Sequence, residues 1–233
     1  MAAGSPFRFF PRSSPIPLNA VRMAVPKIHF DGNRKRPKWR IALAHGAGSG
    51  MRNEFMDAFA AELAELGFLV ARFEFPYMEQ RGVTGRRRPP DKEPVLLDAW
   101  REVIGELGAE KLIIGGKSMG GRMATMIADE MQVAACICLG YPFHPTGKPK
   151  ELRLEPVQQI QTPTLILQGM LDTFGDKKEV ERYTLSPAVT VHFVREGDHS
   201  FQPPKTSERT RESNWKHCVD QIQKFVFEIL PVT

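Results

Sequence analysis

Gly116-Lys117-Ser118-Met119-Gly120 sets a serine between two glycines, each two residues away. A serine hydroxyl becomes a useful nucleophile only when a nearby base takes its proton, and that base needs an orienting acid. The pentapeptide matches G-x-S-x-G, a pattern too short to decide anything by itself. Its setting adds weight, because "LII" (112–114) reads as a strand and "RMATMIADEM" (122–131) as a helix. At a strand–turn–helix corner the serine adopts a strained backbone, and side chains at 116 and 120 would collide with neighbouring elements. Gly121 would let the helix approach the sheet, and the helix N-terminus brings free N–H groups and partial positive charge beside Ser118. The alternative is a plain glycine-rich loop. A phosphate loop would need G-x-x-x-x-G-K-[ST], which the stretch does not contain.

A base and an acid both follow in the chain. "LILQGMLDTFGD" puts Asp172 three residues beyond a strand, and "VHFVREGDHSF" puts His199 in the turn after the last strand. These are the candidate acid and base of a Ser118–His199–Asp172 set. Asp176 reads instead as the N-cap of "KKEVERYTL", and Asp198 adjoins the histidine too closely to orient its ring. His192 falls within a strand, His217 within a helix and His29 in the N-terminal segment. His144, in "YPFHPTGKP", follows a strand and is a candidate for the pocket wall. An oxyanion needs two backbone donors. Met119 N–H would be one, and the glycine-rich "HGAGSGM" (45–51) would supply the other from Gly46 or Ala47, with His45 as structural support behind. The competing reading of that stretch is a simple turn.

Elements that could hold these residues alternate regularly from residue 39. Strands are expected at 39–46, 68–75, 111–116, 134–140, 162–169 and 188–194, the last four mostly continuous apolar runs. Helices are expected at 53–68, 95–107, 119–131, 177–185 and 214–230, with 77–94 as a loop rich in Arg and Pro. Such alternation predicts an α/β domain with a mostly parallel central sheet covered by helices on both faces. One domain is expected over 25–233. Residues 1–24 read as a disordered tail or an over-long start with Met23 as initiator; the prolines at 6, 11, 15 and 17 break any long amphipathic helix.

Bulk properties narrow the function classes. At 233 residues, 42% hydrophobic and 25% charged, the chain can bury a sizeable core, and no apolar run approaches a membrane span. The net charge of +5 is concentrated in "RKRPKWR" (34–40) and "RGVTGRRR" (81–88), neither interleaved with stacking aromatics, so nucleic-acid binding is not expected. Cys136, Cys138 and Cys218 show no disulfide or metal spacing, which fits a reducing cytoplasm; no cofactor or metal is expected.

The stretches "AHGAGSGM", "RFEFPYM", "RRRPPDK", "GGKSMGGRMA", "GYPFHPTGKP", "QGMLDTFG" and "EGDHSF" together resemble the α/β-hydrolases. The likeness is strongest to a branch related to dienelactone hydrolases that includes testis-expressed protein 30 and bacterial relatives. The resemblance implies Ser118, Asp172 and His199 as a catalytic triad and names no substrate. The short stretch between "GYPF" and "TPTLILQG" leaves no room for a large lid, so an open site is expected. Arg81, with its neighbours to Arg88, is a candidate for binding a carboxylate or phosphate, or a solvent-facing residue. Lys117 is a further candidate for the pocket wall, with solvent as its other destination. The expected function is hydrolysis of a small-molecule ester or thioester through an acyl-enzyme, by a monomer or homodimer. A catalytically silent scaffold that binds a protein partner is the contrasting reading.

Overall fold

The computed structural model describes residues 25–35, 37 and 39–229. The expectations for residues 1–24 lie outside the described residues. Seven strands form one sheet in the order β1-β3-β2-β4-β5-β6-β7. They are β1 (His29–Asp31), β2 (Arg40–Ala44), β3 (Leu69–Phe73), β4 (Leu112–Lys117), β5 (Ala135–Leu139), β6 (Thr164–Gly169) and β7 (Val189–Val194). All neighbours pair in parallel except β1, which runs antiparallel to β3 at the edge. The helices are α1 (Glu54–Glu65), α2 (Pro76–Thr84), α3 (Glu93–Leu107), α4 (Met119–Ile127), α5 (Glu155–Gln159), α6 (Lys177–Val180) and α7 (Arg211–Ile229).

Residues 41–44, 112–116 and 135–139 are buried throughout, as strands covered on both sides must be. Alternate residues feed two cores. Ile41, Leu43, Ile113 and Ile137 pack with α1 and α7 residues such as Phe59, Trp215 and Ile222. Ala42, Ala44, Ile114 and Cys138 pack with α3 and α4 residues such as Trp100, Val103, Met123 and Ile127. Cys136, Cys138 and Cys218 are buried free thiols.

Three expectations need correction. The loop expected over 77–94 contains α2, and α3 begins at Glu93. Pro76 occupies the first turn of α2, where a missing N–H costs nothing. The helix expected over 119–131 ends at Ile127, and the one over 177–185 is a four-residue turn. The edge strand β1 and short α5 carry too little periodicity to be read locally.

After β2 the chain crosses to β3 on one side; after β3 it crosses back to β4 on the other. The loops leaving the C-terminal ends of β2 and β4 therefore diverge and open a crevice between them. Ser118 stands at that point.

Candidate active site

Ser118 has φ 51° and ψ −114°, a backbone that non-glycine residues adopt only under constraint. The constraint is visible in its neighbours. A Cβ on Gly116 would lie 2.1 Å from the Ala44 carbonyl oxygen, one on Gly120 2.5 Å from the same atom, and one on Gly121 2.7 Å from the Gly116 carbonyl. Only hydrogen at all three lets α4 seat directly against β2 and β4. The turn is then closed by the Ser118 N–H donating to Leu139 O at 3.1 Å and the Arg122 N–H donating to Ser118 O at 3.0 Å. Met119, the first residue of α4, keeps a backbone N–H that has no intrahelical acceptor.

His199 and Asp172 come from the loops after β7 and β6. The ring Nδ1 donates to Asp172 Oδ2 at 2.7 Å. A carboxylate only accepts, so the proton belongs on Nδ1 and Nε2 is left as the free lone pair. Asp172 is held in turn: Oδ1 accepts from the Phe174 N–H at 2.8 Å, and Oδ2 also accepts from Gln168 Nε2 at 2.9 Å. Phe174 covers the imidazole, with ring centroids 4.2 Å apart. Ser118 Oγ makes no hydrogen bond to the ring among the described contacts; such bonds tighten when substrate arrives. Burial pulls His199 below the ordinary 6.5, and the Lys117 charge reinforces that against the opposing pull of Asp172.

Ser118, Met119, Ala47 and Phe174 share the wall of one cavity of about 370 Å³. Gly46 lies just behind, where a Cβ would come 3.6 Å from Ser118 Cβ. The loop after β2 is pinned from several sides. Tyr77 Oη donates to Ala47 O at 3.0 Å, and Arg81 Nη1 donates to Gly48 O at 3.2 Å. His45 is wholly buried, Nδ1 facing Gly46 O at 2.7 Å and Nε2 accepting from the Phe75 N–H at 3.1 Å. Burial brings its pKa to about 4, so this ring is a neutral strut, as its expected supporting role requires.

The pocket-wall candidates fare differently. Arg81 is spent on Gly48 and on Met78 Sδ at 4.0 Å, and is not on the cavity wall. His144 is buried; its Nε2 meets Glu179 Oε2 at 2.9 Å, while its N–H donates to Phe174 O. It braces the Phe174 turn, and Pro142 and Pro145 face the cavity in its place. Lys117 points away from the cavity. Its Nζ donates to the His199 carbonyl oxygen and lies 5.4 Å from the Phe55 ring centroid and 6.0 Å from that of Phe201. Burial brings its pKa to about 7, against the pull of Asp172 and Asp198.

The rival residues occupy structural posts. Asp176 caps α6 by accepting from the Glu179 N–H at 2.9 Å. Asp198 Oδ1 accepts from the Ser200 and Gln202 N–H groups at 2.7 and 2.9 Å, closing its own turn. His192 and His217 meet each other at 2.8 Å on β7 and α7, and His29 pairs with Asp31 on β1. Gln168 and Phe174 had no place in the sequence reading. The one available signal for Gln168 was an uncharged polar residue inside the apolar run "TLILQG"; Phe174 gave none.

Comparisons with known proteins bear on the fold and the family. An α/β serine hydrolase without lid from Xanthomonas campestris superposes with a TM-score of 0.65 at 21% identity, covering 88% of this chain and 90% of its own. An alpha-beta serine hydrolase homologue from Coxiella burnetii gives 0.62 at 18% identity over 84% and 89%. A monoacylglycerol lipase from Paleococcus ferrophilus gives 0.61 at 16% identity over 87% and 100%. At these identities the likeness establishes the fold. No curated protein sequence matches the chain. Residues 37–227 match the family of the alpha/beta hydrolase domain, and the chain belongs to that family.

Proposed function

We propose that the protein is a serine hydrolase that cleaves a small-molecule ester or thioester through an acyl-enzyme. One observation carries the reading: a serine strained into the wall of a cavity that Phe174 also lines, with the Phe174 ring against His199 of the His199–Asp172 pair. Ser118 Oγ attacks the substrate carbonyl carbon as His199 Nε2 takes its proton. Charge developing on the carbonyl oxygen is met by the N–H groups of Met119 and of Ala47 or Gly46. The leaving alcohol or thiol receives the proton from His199, and water activated by the same nitrogen then releases the acid. Asp172 keeps Nδ1 protonated and stabilises the imidazolium, and Gln168 keeps Asp172 facing the ring. No large insertion separates β5 from β6, where only the five-residue α5 intervenes, so the cavity is open to short substrates. The buried free thiols fit the reducing cytoplasm read from the sequence.

Labelling with a fluorophosphonate probe, followed by peptide mapping, tests the nucleophile directly. Ser118 takes the label in the folded protein, and Ser118→Ala abolishes it. The same substitution lowers kcat on a chromogenic ester by about 10⁵- to 10⁶-fold, because triad members act as a unit. Unlabelled folded protein points to a silent scaffold, whereas a fully active Ser118→Ala variant overturns the mechanism.

A further inference from the structure

The Arg-rich segment over 81–88 contributes no cation to the cavity beside Ser118, yet two arginines from elsewhere do. Its charged lining is Asp91, Glu93, Arg122 and Arg153. Three of these four are engaged. Glu93 Oε2 accepts from Arg122 Nη2 at 2.9 Å. Asp91 Oδ2 accepts from the Tyr77 N–H at 2.7 Å, and Arg88 approaches its other oxygen at 3.8 Å. Arg153 has no carboxylate within salt-bridge distance among the described residues. Beside it, Arg122 Nε is buried with no hydrogen-bond partner.

Arg153 is not a loose surface residue. Its N–H donates to Phe143 O at 2.7 Å, and its carbonyl accepts from Tyr141 Oη at 2.9 Å. Both aromatic residues are fully buried, so the backbone that carries this guanidinium is fixed. The side chain is half-buried, and burial together with the neighbouring Arg122 charge lowers its pKa. With Glu93 taken up by Arg122 and Asp91 by the Tyr77 N–H, Arg153 is the guanidinium of this cavity left without a carboxylate partner among the described residues. A planar guanidinium with free donors matches a carboxylate in a two-point grip.

We propose that the cavity takes an ester whose acyl part ends in a second, free carboxylate, and that Arg153, with Arg122 beside it, is the residue that binds this group. This substrate class rests on the serine hydrolase reading given above. The remaining lining, including Leu96, Met119, Met123 and Pro142, is apolar, so a short methylene chain would link the reacting carbonyl to the distant carboxylate. A cavity of about 370 Å³ suits such a compact acid.

Two 4-nitrophenyl esters of glutaric acid form the kinetic test, one with the second carboxyl free and one with it methylated. The wild-type protein is expected to favour the free acid in kcat/KM by about 10- to 100-fold, the worth of a hydrogen-bonded charge. Arg153→Gln brings the ratio of the two esters to near one, and Arg153→Lys restores part of it. Equal rates on the two esters in the wild type, or a ratio untouched by Arg153→Gln, overturn the proposal. Binding of monomethyl glutarate and of dimethyl glutarate to the Ser118→Ala variant, followed by calorimetry, separates recognition from chemistry. Tighter binding of the monoester, lost on adding Arg153→Gln, supports the carboxylate site even if the wild type turns over neither ester, which would overturn only the hydrolase reading. Equal binding of the two overturns the carboxylate site even in a protein whose Ser118 reacts with fluorophosphonate.

Discussion

Lys117 sits next to the proposed nucleophile in sequence and touches, by its contacts, the proposed base. Side chains of adjacent residues leave a β-strand on opposite faces, and Lys117 reaches behind the site to the backbone oxygen of His199. Its charge also depresses the His199 pKa. Lys117→Met keeps the apolar stem but removes both the donor and the charge. We expect kcat to fall about tenfold, the loss of ~1.4 kcal/mol of positioning. In the proposed mechanism a neutral imidazole is the active form, so activity falls as pH drops through the His199 pKa. In the wild type that acid limb lies below 6.5, and in Lys117→Met it moves upward because the repelling charge is gone. A pH–rate profile of kcat/KM checks this: an unshifted limb reduces Lys117 to a packing residue. The members of the proposed triad were legible from sequence, because Ser118, Asp172 and His199 each follow a strand in a fixed order. Gln168 and Phe174 were not, since an amide and an aromatic ring acquire meaning only from what they touch.

At the scale of elements, the glycines around Ser118 fix the distance between α4 and the sheet. Gly120 is the most exacting test within the helix, because its own φ is ordinary and only space forbids a side chain. A methyl group there would lie 2.5 Å from Ala44 O and 2.7 Å from His45 O, both backbone atoms that cannot swing aside. Gly120→Ala should cost about 1–3 kcal/mol in urea unfolding, as overpacking does. It should also impair fluorophosphonate labelling, since α4 carries Met119 and shifts with it. Helix α2 shows where sequence reading failed. "FPYMEQRGVT" offers a proline at its start and a Gly85 in left-handed conformation (φ 67°) at its end, the two punctuation marks of a helix. Its apolar residues are too few to reveal a face, because α2 covers only a corner of the core with Tyr77 and Met78.

Across the whole molecule, the edge of the sheet is tied by one buried charge. Arg72 on β3 is 4% exposed; Nε and Nη2 meet both Asp31 oxygens at 2.8 and 2.9 Å, and Nη1 reaches Met51 O at 2.8 Å. A further bond to Asp57 of α1 completes the set. One guanidinium thus joins β1, β3, α1 and the end of the loop that follows β2. Arg72→Ala leaves these acceptors without their partner and should destabilise the protein by about 3–5 kcal/mol, read as a fall in Tm. An unchanged Tm would mean that the edge strand is held by the sheet ladder alone.

Sequence alone determined the strand–helix alternation, the elbow at Ser118 and the order of the proposed acid and base, because these depend on local periodicity and on glycine at positions a few residues apart. Among the described residues, no helix is long and apolar enough to cross a membrane, as the composition led one to expect. Tertiary structure decided which charges reach the cavity. Arg81 lies 37 positions before Ser118 and Arg153 lies 35 beyond it, yet Arg81 binds Gly48 O whereas Arg153 faces the cavity. It also decided the role of Lys117. Its direction follows from the pleat of β4 and from the return of the His199 loop behind it, and both are set by how strands pair at long range. The elbow "GGKSMGG" therefore announced its serine in sequence, while the purpose of the lysine beside it waited on the fold.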